Sequence, residues 1–509
     1  MRRSRIAIAA LLLFACAAGL RVRDLDRRIN PDAPRWHDRT RAFWHAAGTG
    51  DWKAARTHHP GVTLMWLAGA GMQLGGTGGP APMTASSLRA AKLPLALVGA
   101  ALPAATFLLL LALWGRGRLA EAWITGALMA TEPFLVGASR ALHLDMLYTA
   151  CAWLAILASA LACRRRSWRW AVVAGVCLGL GVLTKVVVGA VAVGVAVGFV
   201  ASAVRKRDRR LGWLLAIVTV TAVATVFLVW PVFRGDPVGT VRYMIRALES
   251  EATTGQANFL LGQAYHVDPG ALFYPVALLV RTSPELLVLA LLGIVVMAAR
   301  RDARGGLSGW ILVGFLPLLV VLCAGDKKFD RYLTFLYPAL CYAAAVAAVA
   351  LFRWLGPERR RVRLAVLAVG LALLSARAVR IERVHPHVVA WAAEWPGLAA
   401  EDALTLGAGE GLFEAGEWIR AREGGAIPPV YVASYIQSMP SWVLPLGAND
   451  PATARYVVTY LSFWQRELGL ASVPLTEHQV PLHEVWIDGR VYARIYAGPS
   501  HPGYPVRAP

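Results

Sequence analysis

Two acids and a handful of cations are the residues of this chain best suited to chemistry. Asp32 stands in INPDAPRWHDRTRAF just beyond the first apolar run, with Asp38 nearby as a second choice. Asp145 closes the stretch TEPFLVGASRALHLD, which also carries Glu132, Arg140 and His143. A single carboxylate can take a proton from a hydroxyl or amine as that group attacks an electrophilic carbon. Arg140, Arg281 in DPGALFYPVALLVRTSP, and Lys328 and Arg331 in GDKKFDRYL lie in the other polar stretches. Arg grips phosphate through two parallel donors and stays charged at any relevant pH. Together these types suit a base acting beside an anionic group. Each also has a plainer reading. Asp32, two residues before Pro34, fits a helix N-cap, as does Asp145 at the head of an apolar run. The arginines and lysines could anchor spans at a membrane interface.

The elements that would position these residues are apolar runs. Apolar residues make up 57 % of the 509 and charged residues only 16 %, and the mean hydropathy is +0.51. A helix needs about 20 apolar residues to cross a bilayer, and the pattern predicts a polytopic α-helical membrane protein with about eleven spans. They fall at roughly 5–20, 91–113, 119–136, 144–162, 169–184, 186–204, 211–230, 285–299, 308–324, 332–352 and 363–378.

The connectors sort by charge. Arg2, Arg3 and Arg5, then Arg116 and Arg118, residues 164–166, the cluster 205–210, then Arg300, Arg301 and Arg304, and residues 359–361 all lie on one side. Short loops rich in Lys and Arg stay cytoplasmic, so the chain is expected to start inside and to end outside, in a plasma (inner) membrane. Much of the net charge of +21 is then topogenic and needs no nucleic-acid partner. The first apolar run could pass for a signal peptide, but no small-x-small site precedes residues 21–24, and a retained anchor is favoured. All six cysteines sit in apolar runs without CxxC spacing, so no disulfide framework is expected.

Four polar regions face the expected outer side: 21–90, 132–145, 234–284 and 325–331. The first ends in an apolar stretch, 61–74, too short to span and read as re-entrant or interfacial. Lys185 falls at a helix end, where its stem could snorkel to the interface. With few charges mid-span, a secondary transporter is disfavoured. Residues 1–380 form the membrane domain. Residues 381–509 read as a small external α/β domain, with strand-like runs PPVYVAS, ARYVVTY and GRVYARIYAG after the helix-like GLFEAGEWIRARE.

In this order the pieces resemble the GT-C glycosyltransferases that use polyprenyl-phosphate sugars, in particular the protein O-mannosyltransferase and aminoarabinose-transferase group. The resemblance rests on HHPGVTLMWL (58–67), the Glu-Pro…Ser-Arg…Leu-Asp turn (132–145), Leu-Thr-Lys (183–185), DPGALFYPVALLVRTSP (268–284) and KKFDRYLTFLYPAL (327–340). It implies inverting transfer of a sugar on the extracytoplasmic face from a polyprenyl-phosphate donor to a lipid, glycan or protein acceptor, beside membrane lipids. Asp32 matches the family's base, although Ala33 replaces the Glu that commonly follows it. Asp145 would orient acceptor or base, and His59, Arg140, Arg281, Lys328 and Arg331 would meet the donor phosphate. His266 and Asp268 would line the acceptor side. No cofactor is implied, and no Asp/His cluster has clear metal spacing, so chelation should have little effect. The rivals are a polyprenyl-linked polymerase or ligase, a transporter or flippase, and a structural subunit that has lost activity with the missing Glu.

Overall fold

The computed structural model describes residues 3–27, 30–54, 56–57, 60–253, 255–299, 306–425, 428–432, 442–444, 450–468, 476 and 479–504. His58 and His59 therefore lie outside the described residues. Every apolar run falls on a helix, because in lipid each backbone N–H and C=O must be satisfied within its own segment. The order begins α1 (Arg3–Gly19), α2 (Ala33–Thr49), α3 (Val62–Leu74), α4 (Ala85–Trp114), α5 (Leu119–Thr131), α6 (Pro133–Ser139), α7 (Asp145–Arg165), α8 (Trp168–Thr184), α9 (Gly189–Lys206) and α10 (Arg210–Val229). Helices Pro237–Thr253, Phe273–Arg281, Pro284–Ala299, Leu307–Ala324, Tyr337–Trp354 and Arg360–Arg383 follow.

Among the described residues, seven helices are long and apolar enough to cross a membrane, or eight if the pair bent by 119° at residues 282–283 is one span. α1, α3 and α8 are shorter apolar helices. The run 119–136 is not one span. Pro133 cannot donate to the preceding turn and disfavours helix at Glu132, so α5 stops at Thr131 and α6 restarts at Pro133.

α7 forms the axis of the bundle, with 89 % of its apolar window enclosed by protein, whereas α10 and helix Arg360–Arg383, at 17 % and 11 %, present Val and Leu outward. Small residues let backbones touch. A Cβ on Gly293 would collide with the Ala343 carbonyl, which is the close approach that membrane helix packing favours. α2 is amphipathic and buries Trp36, His37, Thr40 and Phe43, the spacing of one helical face. Gly61, at φ +54°, starts α3 directly under the Trp36 ring, where a side chain would collide.

The C-terminal region carries a four-stranded sheet of β3 (Val430–Val432), β4 (Tyr456–Tyr460), β5 (His483–Ile487) and β6 (Arg490–Ala497). Its order is β3-β4-β6-β5, parallel only between β3 and β4. Helix Leu412–Arg422 packs on it. A hairpin, β1 (Asn258–Leu260) and β2 (Gln263–Tyr265), rises from the bundle and bridges to Leu404. The Ala393 N–H donates to the Val280 carbonyl at 2.7 Å, so this region is fastened to the membrane helices.

Candidate active site

Four breaks in the helical pattern meet at one end of the bundle, and together they deliver five ionisable side chains. Asp32 precedes α2 with helical φ and ψ of −83° and −13°, and its side chain makes no cap hydrogen bond. Its carbonyl instead accepts from the Trp36 N–H at 2.9 Å. The N-cap reading thus fits the position but not the carboxylate, which is left for other partners. His143 sits in the turn between α6 and α7, and Asp145 is the first residue of α7, where the helix dipole favours an anion. Lys185 is extended, at φ −152° and ψ 119°, between α8 and the turn Val186–Val188. Arg331 lies in the tight turn Asp330–Leu336 that leads into helix Tyr337–Trp354.

His143 bridges the two acids, with Nε2 at 3.4 Å from Asp32 Oδ2 and Nδ1 at 2.7 Å from Asp145 Oδ2. The second contact is close but not aligned as a hydrogen bond, so it is an ion contact. Arg331 spans the same pair, Nη2 lying 3.5 Å from Asp32 Oδ2 and Nε 3.5 Å from Asp145 Oδ2. Lys185 Nζ is 3.4 Å from Asp145 Oδ1 and stands 3.5 Å from the centre of the Tyr332 ring and 4.9 Å from that of Tyr148. Both oxygens of Asp145 are therefore engaged. At Asp32 both ionic contacts fall on Oδ2, which leaves Oδ1 as its more basic oxygen.

The electrostatics follow from this geometry. Burial pushes the Asp32 carboxyl up, but the hydrogen bond to His143 and the charges of Arg331, His143 and Arg35 outweigh it and hold the group well below the usual carboxylate range. Burial lowers Lys185 to about 8, with Asp145 opposing. It does not snorkel outward: the structure turns it inward, to an acid whose charge holds it there.

These residues line a cavity of about 620 Å³. Its apolar lining includes Val186, Val187, Val321, Leu322 and Met244, and Val321 is about half exposed. Arg35, Arg39 and Lys327 line it as well. Residues of the hairpin segment and the C-terminal region also line it: Gln256, Asn258, Thr405, Glu410 and Arg466.

The other candidates are placed elsewhere or committed. Asp38 lies on the outer face of α2, exposed, near His37 and Arg41. Arg140 is buried against the Arg21 carbonyl and does not line the cavity. Arg281 reaches the cavity, but its Nε donates to Asp330 at 2.7 Å and its Nη1 to the Val389 and Trp391 carbonyls. Lys328 and Asp268 were candidates for opposite substrates and pair with each other at 2.5 Å. His266 is exposed on the hairpin side, away from the cavity lining. The sequence assigns His143 no chemical role and reads Lys185 as an interfacial anchor. The available signal was an ionisable residue between two apolar runs, which membrane proteins keep mainly for function. Among the described residues, no group of three or more His, Cys, Asp or Glu side chains is arranged to hold a metal ion.

Comparisons with known proteins agree on the architecture. Residues 59–230, about a third of the chain, match the family described as dolichyl-phosphate-mannose-protein mannosyltransferase. The crystal structure of ArnT from Cupriavidus metallidurans bound to undecaprenyl phosphate is similar, with a TM-score of 0.52 and 15 % identity over 97 % of this chain and 98 % of that one. The archaeal oligosaccharyltransferase AglB from Archaeoglobus fulgidus, in complex with an inhibitory peptide and a dolichol-phosphate, gives a TM-score of 0.54 and 14 % identity over 93 % of this chain and 72 % of that one. No curated protein matches the sequence. The family match over residues 59–230 and the shared architecture agree: this chain is a multi-pass membrane protein with a GT-C-like fold, similar to these membrane glycosyltransferases.

Proposed function

We propose that the protein transfers a sugar from a polyprenyl-phosphate donor to a hydroxyl or amine acceptor on the extracytoplasmic face, with inversion at the anomeric carbon. The observation that carries this reading is the meeting of Asp32, Arg331, Lys185 and Asp145 in one cavity that also has an apolar lining. The donor phosphodiester would sit on Arg331 and Lys185, with its prenyl chain along Val186, Val187 and Val321. The acceptor would approach past Thr405 and Glu410.

Asp32 Oδ1 takes the acceptor proton while the acceptor oxygen or nitrogen bonds to the anomeric carbon. The bond from that carbon to the phosphate oxygen breaks, and its electron pair stays with the phosphate, where the two cations meet the growing charge. One carboxylate suffices for this single displacement, in contrast with the carboxylate pair of a retaining hydrolase. Asp145, engaged at both oxygens, holds the cations in place. Donor binding also activates the base. A phosphate on Arg331 competes for the charge that holds Asp32 low, so the carboxylate becomes more basic as the substrate arrives.

The test is to incubate the purified protein with labelled undecaprenyl-phosphate hexose and membranes of the source cell, which hold the native acceptor, and to follow release of the carrier. Release that depends on the protein is expected. Uptake of the lipid across vesicles without release would replace this reading with transport.

A further inference from the structure

The two carboxylates are joined by a residue to which that mechanism gives no part. We propose that His143 is a positioning residue that stands as an imidazolium between Asp32 and Asp145, fixing the base and supplying the third positive charge of the site. This rests on the transferase reading, in which Asp32 is the base.

Geometry carries the first half. Each ring nitrogen faces a carboxylate oxygen, at 3.4 Å and 2.7 Å. A neutral imidazole has one donor and one acceptor nitrogen and would set a lone pair against one of those anions; only the cation suits both. The ring is nearly enclosed, with 12 % of its side chain exposed, and the short turn between α6 and α7 leaves it little freedom. It meets Asp32 on Oδ2, the oxygen that Arg331 also holds. The carboxylate is thereby kept from rotating, with Oδ1 available to the acceptor.

Charge carries the second half. The groups around the ring are Asp32 at the start of α2, Asp145 on α7, Lys185 between α8 and α9, Arg331 on the turn before helix Tyr337–Trp354, and Arg35 at the rim on α2. With His143 charged, the inner five carry two negative and three positive charges. A donor phosphodiester, with one negative charge, brings the total to zero. After transfer Asp32 holds the acceptor proton and the released phosphate monoester carries two negative charges, and the total is still zero. A neutral His143 would leave this inner set one negative charge in excess at both stages, for only the outlying Arg35, Arg39 and Lys327 of the cavity lining to offset. The local balance agrees: burial pulls the imidazole down and Arg331 opposes its charge, but Asp145 and Asp32 prevail and hold it above the ordinary histidine value.

Two experiments on the full-length protein decide the matter. In protein labelled with ¹⁵N-histidine, the His143 ring signal is assigned by its loss in His143→Gln. It should titrate above about 6.5 and fall by about one unit or more in Asp145→Asn; a signal that titrates below the ordinary value overturns the charged state. In the carrier-release assay, His143→Gln should lower the rate about 10- to 100-fold and raise the donor KM, because a positive charge that balances the bound phosphodiester is gone. Its acid limb should rise toward pH of about 4, because Asp32 loses a partner that holds it low. A slower variant with an unmoved acid limb overturns the positioning role. If the wild-type protein releases no carrier while the ring titrates high, the transferase reading fails and the bridging imidazolium stands.

Discussion

Two carboxylate–arginine contacts in this bundle differ in what surrounds them. Glu132 and Arg377 are both fully buried and pair one to one, with Ser283 donating to the same carboxylate oxygen. The pair fastens helix Arg360–Arg383, otherwise largely outside the bundle, to the break between α5 and α6. Arg331 is instead shared by two acids at 3.5 Å each, beside a cavity. A sealed pair gives an incoming charge no access. A shared, stretched one can exchange part of its attraction for an incoming phosphate. Of the two ion pairs, the one that opens on a cavity is where a substrate can bind.

Substitutions at the two arginines should therefore part company. Arg331→Ala should cut carrier release by about 10²- to 10³-fold while the thermal midpoint in detergent changes little. Arg331→Lys should recover only part of it, since the fork that reaches both acids is lost. Arg377→Ala should do the reverse, costing about 3–5 kcal/mol of stability by leaving Glu132 charged and alone, with the activity of the surviving protein near normal. Equal behaviour of the two variants in both assays would erase the distinction.

Lys185 sharpens the same contrast through pH. Its ammonium is depressed to about 8 by burial, so it loses its charge, and its hold on the phosphate, as the pH rises through that value. The kcat/KM for donor should fall on the alkaline side near there, and Lys185→Arg should move that limb upward. An unmoved limb would give it to another group. The smallest effect is expected at Asp38. It is exposed on α2 with only local partners, and Asp38→Asn should stay within about two-fold of wild type, as surface changes usually do.

Much of this was legible in the sequence, for definite reasons. Apolar runs of spanning length need no tertiary information, and the strands β3, β4 and β6 and helix Leu412–Arg422 fall within runs whose alternation or periodicity marks them. Asp32 is separable from Asp38 by helical spacing, since Trp36, Thr40 and Phe43 define the buried face and Asp38 lies off it. What the sequence hid was partnership across long separations. Lys328 and Asp268 are 60 residues apart, and their pairing removes both from the cavity. Arg281 and Asp330 also pair across a long separation, and although both reach the cavity their charges are committed to each other. Lys185 read as an interfacial anchor because only the folded bundle brings the head of α7 beside it.

The central claim is that Asp32 abstracts a proton beside a bound polyprenyl phosphate, and Asp32→Asn tests it most directly when rate and binding are measured on the same preparation. Carrier release should fall by about 10²- to 10⁴-fold, while undecaprenyl phosphate binds at least as tightly as to the wild type, since one negative charge near Arg331 is gone. Release within ten-fold of wild type would contradict the claim.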